Sequence, residues 1–220
     1  VNRFLGLVEL NGREERCYIP NPGRLKELLQ EGCTVAVRKA QAITSRSTSL
    51  ELLAVKHEGL CVSIDSRLPN LVVEEALRLG TLPELAGYAT VTANPRFGWS
   101  FFDFRLEDGG PPCVLEVKGC SLVRRGLALF PDAPTVRGRR QLRELARARQ
   151  AGHRAVVLFV VQRPDARALA PNDETDPKFG EALRDALSMG IEALAYSLLI
   201  HEREARLSKR LPVLLRSERA

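Results

Sequence analysis

Long apolar runs, paired cysteines, clustered histidines and the familiar nucleotide-binding and hydrolase motifs are all missing from this 220-residue chain. The longest strictly apolar run, Ala155 to Val161, falls far short of the roughly 18 residues that cross a bilayer, and Val1 to Leu5 carry no apolar stretch of a signal peptide. A soluble, cytoplasmic protein without membrane contact is the expectation. A start at Val rather than Met leaves the natural N-terminus open. Cysteines 17, 33, 61, 113 and 120 form an odd set with no C-x-x-C spacing, which argues against a disulfide framework and a zinc site and leaves reduced, mostly core thiols. His57, His153 and His201 stand alone, without metal-ligand spacing. No G-x-S-x-G, Walker A or G-x-G-x-x-G pattern occurs, so serine triads, P-loops and dinucleotide folds lack support. Aromatic residues are only 5%, so Leu, Val and Ala must fill the interior. Internal repeats and low-complexity tracts are absent as well.

What is present is the balance of an ordinary globular protein, 45% hydrophobic and 27% charged. The length suits one compact body or two unequal domains. Lys and Arg exceed Asp and Glu by 33 to 27, a net charge of +6, which biases the chain toward polyanionic partners such as nucleic acid.

Residues 1 to about 66 alternate short apolar runs with turns. Asn11-Gly12 signals a hairpin and Pro20-Asn21-Pro22-Gly23 a chain reversal. A brief helix is expected over residues 25–30, with strands near 34–38, 50–56 and 60–64. This part reads as a small β domain, with a boundary near Ser66 to Pro69. Residues 67–220 read as an α/β (α+β) domain. Asn70 is expected to cap a helix running to Leu79, and strands are expected near 88–92, 101–106 and 113–118. A basic helix over 136–151 precedes a buried strand at 155–161. Asp176-Pro177 opens a helix to Met189, a last strand covers 191–200, and the charged tail 201–220 is expected to fray.

The segments 101–106 and 113–118 read as a hairpin around a six-residue turn, Glu107 to Pro112. A symmetric turn sets Leu106 opposite Cys113 and hence Asp103 opposite Glu116, with Cβ atoms about 4.5–5.5 Å apart. Like charges so placed repel unless a cation offsets them. Period-two alternation brings Lys118 to the same face as Glu116. Two acids and a lysine suit phosphodiester hydrolysis: the carboxylates hold Mg²⁺ or Mn²⁺, and Lys118 orients the water or steadies phosphate charge. An exposed sheet face with ordinary charges would show the same spacing.

Glu75 falls among Leu71, Val72, Ala76 and Leu79, which makes it the expected inward-facing third acid. Seven arginines (137, 139, 140, 143, 147, 149 and 154) face one acid, Glu144, over residues 137–154, a track suited to a phosphate backbone. A solvated arginine-rich face is the plainer alternative. Gln141 lies beside the apolar stripe Leu142, Leu145 and Ala148, where its amide would reach a site, and Arg24 follows the Pro20 to Gly23 turn.

Taken together, Pro20-Asn21-x-Gly23, Pro69-Asn70 with Glu75-Ala76-Leu77, Asp103-Phe104, Glu116-Val117-Lys118, Phe130-Pro131-Asp132-Ala133, and Thr135-x-Arg137-Gly138 with Leu142-Arg143-Glu144-Leu145 resemble the sugar fermentation stimulation protein A (SfsA) family in order and spacing. Further likeness at Arg154-Ala155-Val156, Glu192 to Tyr196 and Leu211-Pro212-Val213 extends it over nearly the whole chain. The resemblance implies an N-terminal OB-fold-like small β-barrel, then a restriction-endonuclease-like PD-(D/E)xK α/β domain, with DNA as ligand. By position, Glu75 matches the helix acid, Asp103 the first strand acid, and Glu116 and Lys118 the ExK pair. Phe101 stands where the family often has Arg, Gln141 where it often has His, and Pro22 and Pro134 replace commoner Thr and Val. These departures bear more on substrate contacts than on metal binding.

The expectation is therefore a DNA-binding protein with a Mg²⁺-dependent phosphodiesterase site. In it, Asp103 and Glu116 are metal ligands, Glu75 is an outer ligand, Lys118 positions the nucleophile and Gln141 supports the phosphate. Arg24, Arg137, Arg139, Arg140, Arg143 and Arg147 are the expected nucleic-acid contacts. A catalytically silent DNA-binding regulator linked to sugar metabolism is the alternative, and a small-molecule or structural protein that binds no DNA is a third.

Overall fold

A computed structural model describes residues 3–40, 48–98, 100–201 and 204–215. The chain divides into two units, Val1–Leu68 and Pro69–Ala220. No helix among the described residues is long and apolar enough to cross a membrane.

In the first unit, Asn11 and Gly12 both take positive φ (55° and 75°) and close the expected tight turn between β1 (Leu5–Leu10) and β2 (Arg13–Tyr18). β3 (Val35–Lys39), β4 (Leu50–His57) and β5 (Leu60–Ser63) complete a sheet ordered β1-β2-β4-β3, with β5 also paired to β4. Val8, Cys17, Leu25, Leu28, Leu52, Val55, Val62 and Ile64 form its core. The expected helix over 25–30 is only a single turn, in which Leu28 N and Leu29 N both donate to Leu25 O at 3.1 and 2.8 Å. Leu25 sits at φ 48°, outside the right-handed region, so the turn cannot extend backwards.

Asn21 holds the preceding loop: its Nδ2 donates to Ile64 O and its Oδ1 accepts from Gly23 N, both at 2.7 Å. Glu51 of β4 is buried, yet accepts from Arg38 Nη2 at 2.7 Å and Arg67 Nη2 at 3.1 Å. Burial raises its carboxyl pKa, but hydrogen bonds and charge from Arg67 and Arg38 outweigh it, and the net shift is downward.

The second unit begins around α1 (Leu68–Arg78) and a 3-10 turn (Pro83–Leu85), then runs β6 (Thr90–Ala93), β7 (Arg96–Phe97), β8 (Ser100–Phe101), β9 (Phe104–Glu107), β10 (Cys113–Cys120), β11 (Val123–Arg124) and β12 (Leu127–Phe130). α2 (Val136–Gln150), β13 (Arg154–Val161), β14 (Ala168–Pro171), α3 (Pro177–Ser188), β15 (Glu192–His201) and β16 (Glu204–Arg210) follow. The main sheet has the order β16-β15-β13-β10-β9-β6, parallel across β10, β13 and β15 and antiparallel at both margins. β13 is buried at every position except Arg154, as the unbroken run Ala155 to Val161 requires of a central strand. Its Ala155, Val157, Phe159 and Val161 pack with Leu142, Leu145 and Ala148 of α2 and Phe179, Leu183 and Ala186 of α3.

Both helices start on shared contacts. Thr135 caps α2 by accepting from Gly138 N, and Asp176 caps α3 by accepting from Phe179 N. Asp176 also accepts from Thr135 N and pairs with Arg139 Nη1, each at 2.7 Å. The tail departs from expectation, because residues 204–210 pair antiparallel with β15 instead of fraying. Only Ala205 and Leu207 turn partly inward, so the charges of an edge strand mask the alternation. Residues 202–203 and 216–220 of that tail lie outside the described residues.

Because the Glu51 carboxyl is held below its unfolded value of 4.5, its stabilisation is present above that value and is lost as pH falls through the folded one. Glu51→Gln is expected to cost about 1–2 kcal/mol at neutral pH, since both arginines are half exposed and the pair is partly screened. Urea denaturation should show the deficit shrinking in acid.

Candidate functional site

Strand β10 presents Val114 and Cys120 to the apolar cluster beneath α2 and α3, and alternation puts Glu116 and Lys118 in the same row. Glu116 is 2% exposed. Its Oε1 accepts from Lys118 Nζ at 2.5 Å and from Gln141 Nε2, while Lys118 Nζ also donates to Gln141 Oε1 at 2.7 Å. Gln141 comes from the buried face of α2, beside Leu142 and Leu145. The second oxygen, Glu116 Oε2, is buried without a hydrogen-bond partner. Burial pushes this carboxyl up to about 7; the Lys118 ammonium opposes the shift, Asp103 adds to it, and Arg137 opposes it more weakly.

The β9–β10 ladder has the register of a symmetric turn, with Leu106 opposite Cys113, Arg105 opposite Val114 and Phe104 opposite Leu115. It stops there. The expected direct pairing of Asp103 with Glu116 is not formed, because the chain leaves the sheet at Phe102 and Asp103 to enter the β7–β8 hairpin. That hairpin is closed at its base by Asn94 N donating to Asp103 O (2.9 Å) and Phe102 N donating to Pro95 O (3.2 Å). Asp103 stays attached to β10 by another route: its N donates to Leu115 O at 3.1 Å and its Oδ2 accepts from Val117 N at 2.7 Å. The carboxylate thus takes the place of a ladder carbonyl, one residue from Glu116.

Its other oxygen, Oδ1, accepts from Asn70 Nδ2 at 2.7 Å. Asn70 is expected from the sequence to cap α1, but the helix begins at Leu68 and Asn70 instead serves Asp103. Pro69 just before it was the available signal, since proline favours the first turn.

Glu75 does not face inward. The buried side of α1 is Pro69, Val72, Val73, Ala76 and Leu77, whereas Leu71 (60% exposed) and Leu79 (69%) share the outer side with exposed Glu75. Two outward leucines displaced the apparent stripe. Among the described residues no group of three or more His, Cys, Asp or Glu side chains could hold a metal ion, so Asp103 and Glu116 gain no third acid.

Arg139 is also displaced from its expected role, committed to Asp176 at 2.7 Å in a mostly buried ion pair. Arg147 pairs on the surface with Glu144. Arg137, Arg140 and Arg143 are exposed along α2, and Arg24 is exposed in the first unit.

The folded chain holds the Glu116 proton more tightly than the unfolded chain does. Stability from this group is therefore complete below 4.5 and is lost as pH rises through about 7. With a chelator present, Glu116→Gln is expected to flatten the urea midpoint between roughly pH 5 and 7, where the parent protein declines.

The sequence matches two family models, described as the sugar fermentation stimulation protein RE domain over residues 67–204 and the SfsA N-terminal OB domain over residues 1–64. The sugar fermentation stimulation protein homolog of Moorella thermoacetica is 44% identical over 89% of this chain and 84% of its own length. That of Caldanaerobacter subterraneus subsp. tengcongensis is 40% identical over 98% and 93%. A solved structure, described as Pyrococcus furiosus SfsA in complex with Ca²⁺, superposes with a TM-score of 0.88 at 32% identity, covering 97% of this chain and 92% of that one. The architecture is thus an N-terminal OB domain followed by a mixed α/β domain. With both units matched in order and relatives aligned over most of its length, the chain belongs to the sugar fermentation stimulation protein family.

Proposed function

We propose that this chain is a cytoplasmic DNA-binding protein that hydrolyses the phosphodiester backbone with a divalent metal, Mg²⁺ or Mn²⁺, held by Asp103 and Glu116 in a PD-(D/E)xK arrangement. The observation that carries the reading is the convergence of Lys118 and Gln141 on Glu116 Oε1 near Asp103, while the buried Glu116 Oε2 has no hydrogen-bond partner. Buried polar atoms are nearly always satisfied, and a hard cation is the natural complement of such an oxygen. Mg²⁺ needs only one or two carboxylates because it retains water, so the lack of a third acid fits the ion. The Pyrococcus relative, described with Ca²⁺, another oxygen-seeking cation, supports the same donor chemistry. All five cysteines are free, as a reducing cytoplasm favours.

When bound, such a metal polarises a phosphate oxygen and lowers the pKa of a coordinated water. The protein's own groups do the positioning. Lys118 spends two of its three N–H donors on Glu116 Oε1 and Gln141 Oε1, leaving one for a water or phosphate oxygen. Gln141 spans both partners and so fixes the ammonium against the carboxylate. Asn70 and the Val117 amide fix the orientation of Asp103. Arg137, Arg140 and Arg143 supply cations for the backbone on either side.

The competing reading is a catalytically silent DNA-binding regulator linked to sugar metabolism. It is favoured by the relatives' name and by a ring in which Lys118, Glu116 and Gln141 hydrogen-bond one another.

Plasmid nicking in Mg²⁺ separates the two. Asp103→Asn, which can keep an acceptor for Val117 N, and Lys118→Ala are each expected to lower the rate by about 100-fold or more, and chelation to abolish it. Unchanged nicking in either variant would sink the assignment; binding without any cleavage selects the regulator. In a salt titration, replacing Arg137, Arg140 and Arg143 together with Ala is expected to reduce the slope of log affinity against log salt by about 2–3.

A further inference from the structure

Among the described residues of the β7–β8 hairpin and its base, Phe101 is exposed, while Phe97 and Phe102 root the hairpin in the apolar cluster. Phe102 is buried and packs its ring 5.6 Å from that of Phe97, which in turn meets His153 edge-on at 5.3 Å. The base is pinned by Asn94 N to Asp103 O and Phe102 N to Pro95 O. On this rooted hairpin Phe101 is 63% exposed, because alternation turns it away from Phe102. Directly across the hairpin lies Arg96, also exposed. Phe101 is two residues from Asp103, at most about 7 Å along extended chain. That is the scale separating a phosphate from a neighbouring base.

We infer that Phe101 is a stacking platform for an unpaired base next to the phosphate at the proposed metal site of Asp103 and Glu116, and that the ligand this site prefers is a single strand. The inference rests on the nucleic-acid reading and adds the strandedness of the substrate. A base within a continuous duplex has both faces covered by its neighbours and offers none to a side chain. A strand with splayed bases offers a face at every step, and aromatic stacking tolerates any sequence. Arg96, whose Nε donates to Gly98 O at 3.0 Å, adds positive charge to the same face of the hairpin.

The test is equilibrium binding, in Mg²⁺ and with cleavage-resistant phosphorothioate linkages, of a short single-stranded DNA carrying 2-aminopurine and of the same sequence as a duplex. The intact protein should prefer the single strand and quench its fluorescence. Phe101→Ala should lose roughly 5- to 150-fold in single-strand affinity, the range that removal of one stacked base produces, together with the quenching. Phe101→Trp should keep both, and duplex binding and thermal stability should not change in either variant. Unchanged single-strand affinity and quenching in Phe101→Ala, or a wild-type preference for duplex, overturns the inference while leaving nucleic-acid binding intact. A wild-type protein that binds neither DNA overturns the nucleic-acid reading itself, and this inference with it.

Discussion

A carboxylate sunk into the row of side chains beneath a helix is the constraint around which the α/β domain is organised. Glu116 occupies a position that Val114 and Cys120 show to be core, and an isolated charge there would be prohibitive. Lys118 answers it from the same strand, two residues on, and Gln141 answers both from α2. Even so, burial wins over the ion pair, and the carboxyl is left poised near neutrality. A pair built only for stability would be better replaced by apolar side chains of the same volume. The carboxylate stands there all the same, with one buried oxygen unmatched.

Much of this was legible in the sequence. The run Ala155 to Val161 reads as a central strand because no polar residue breaks it, and the β9–β10 register follows from the length of one turn. What sequence periodicity could not show is where the ladder ends. β7 and β8 are two residues each, too short to carry any period, yet they pull Asp103 out of the sheet. The phase of α1 is obscured in the sequence for a different reason: Leu71 and Leu79 are apolar but outward, so an acid between them looks buried. Arg139 looked like its basic neighbours, since nothing local reveals that Asp176, far along the chain, claims it.

The OB domain shows the same economy of polar groups. Its Pro-Asn-x-Gly turn is recognisable in sequence as a reversal, but the reason for the asparagine lies in Ile64, whose carbonyl it satisfies from 43 residues away. Glu51 is likewise enclosed by arginines from two other segments. In both units, polar residues of the family resemblance such as Asn21, Asn70 and Arg154 reach partners far along the chain.

Asp176 draws these threads together. One carboxylate caps α3, accepts the amide that precedes α2 and clamps Arg139 in the first turn of that helix. Gln141 follows Thr135 by six residues, about 9 Å of helical rise, so its axial position is set from this point. The start of α3 therefore acts as a datum for the Glu116 cluster. A change at Asp176, remote from the carboxylates in sequence, would be transmitted as a sliding or rotation of α2 and read out as a misplaced amide beside Lys118.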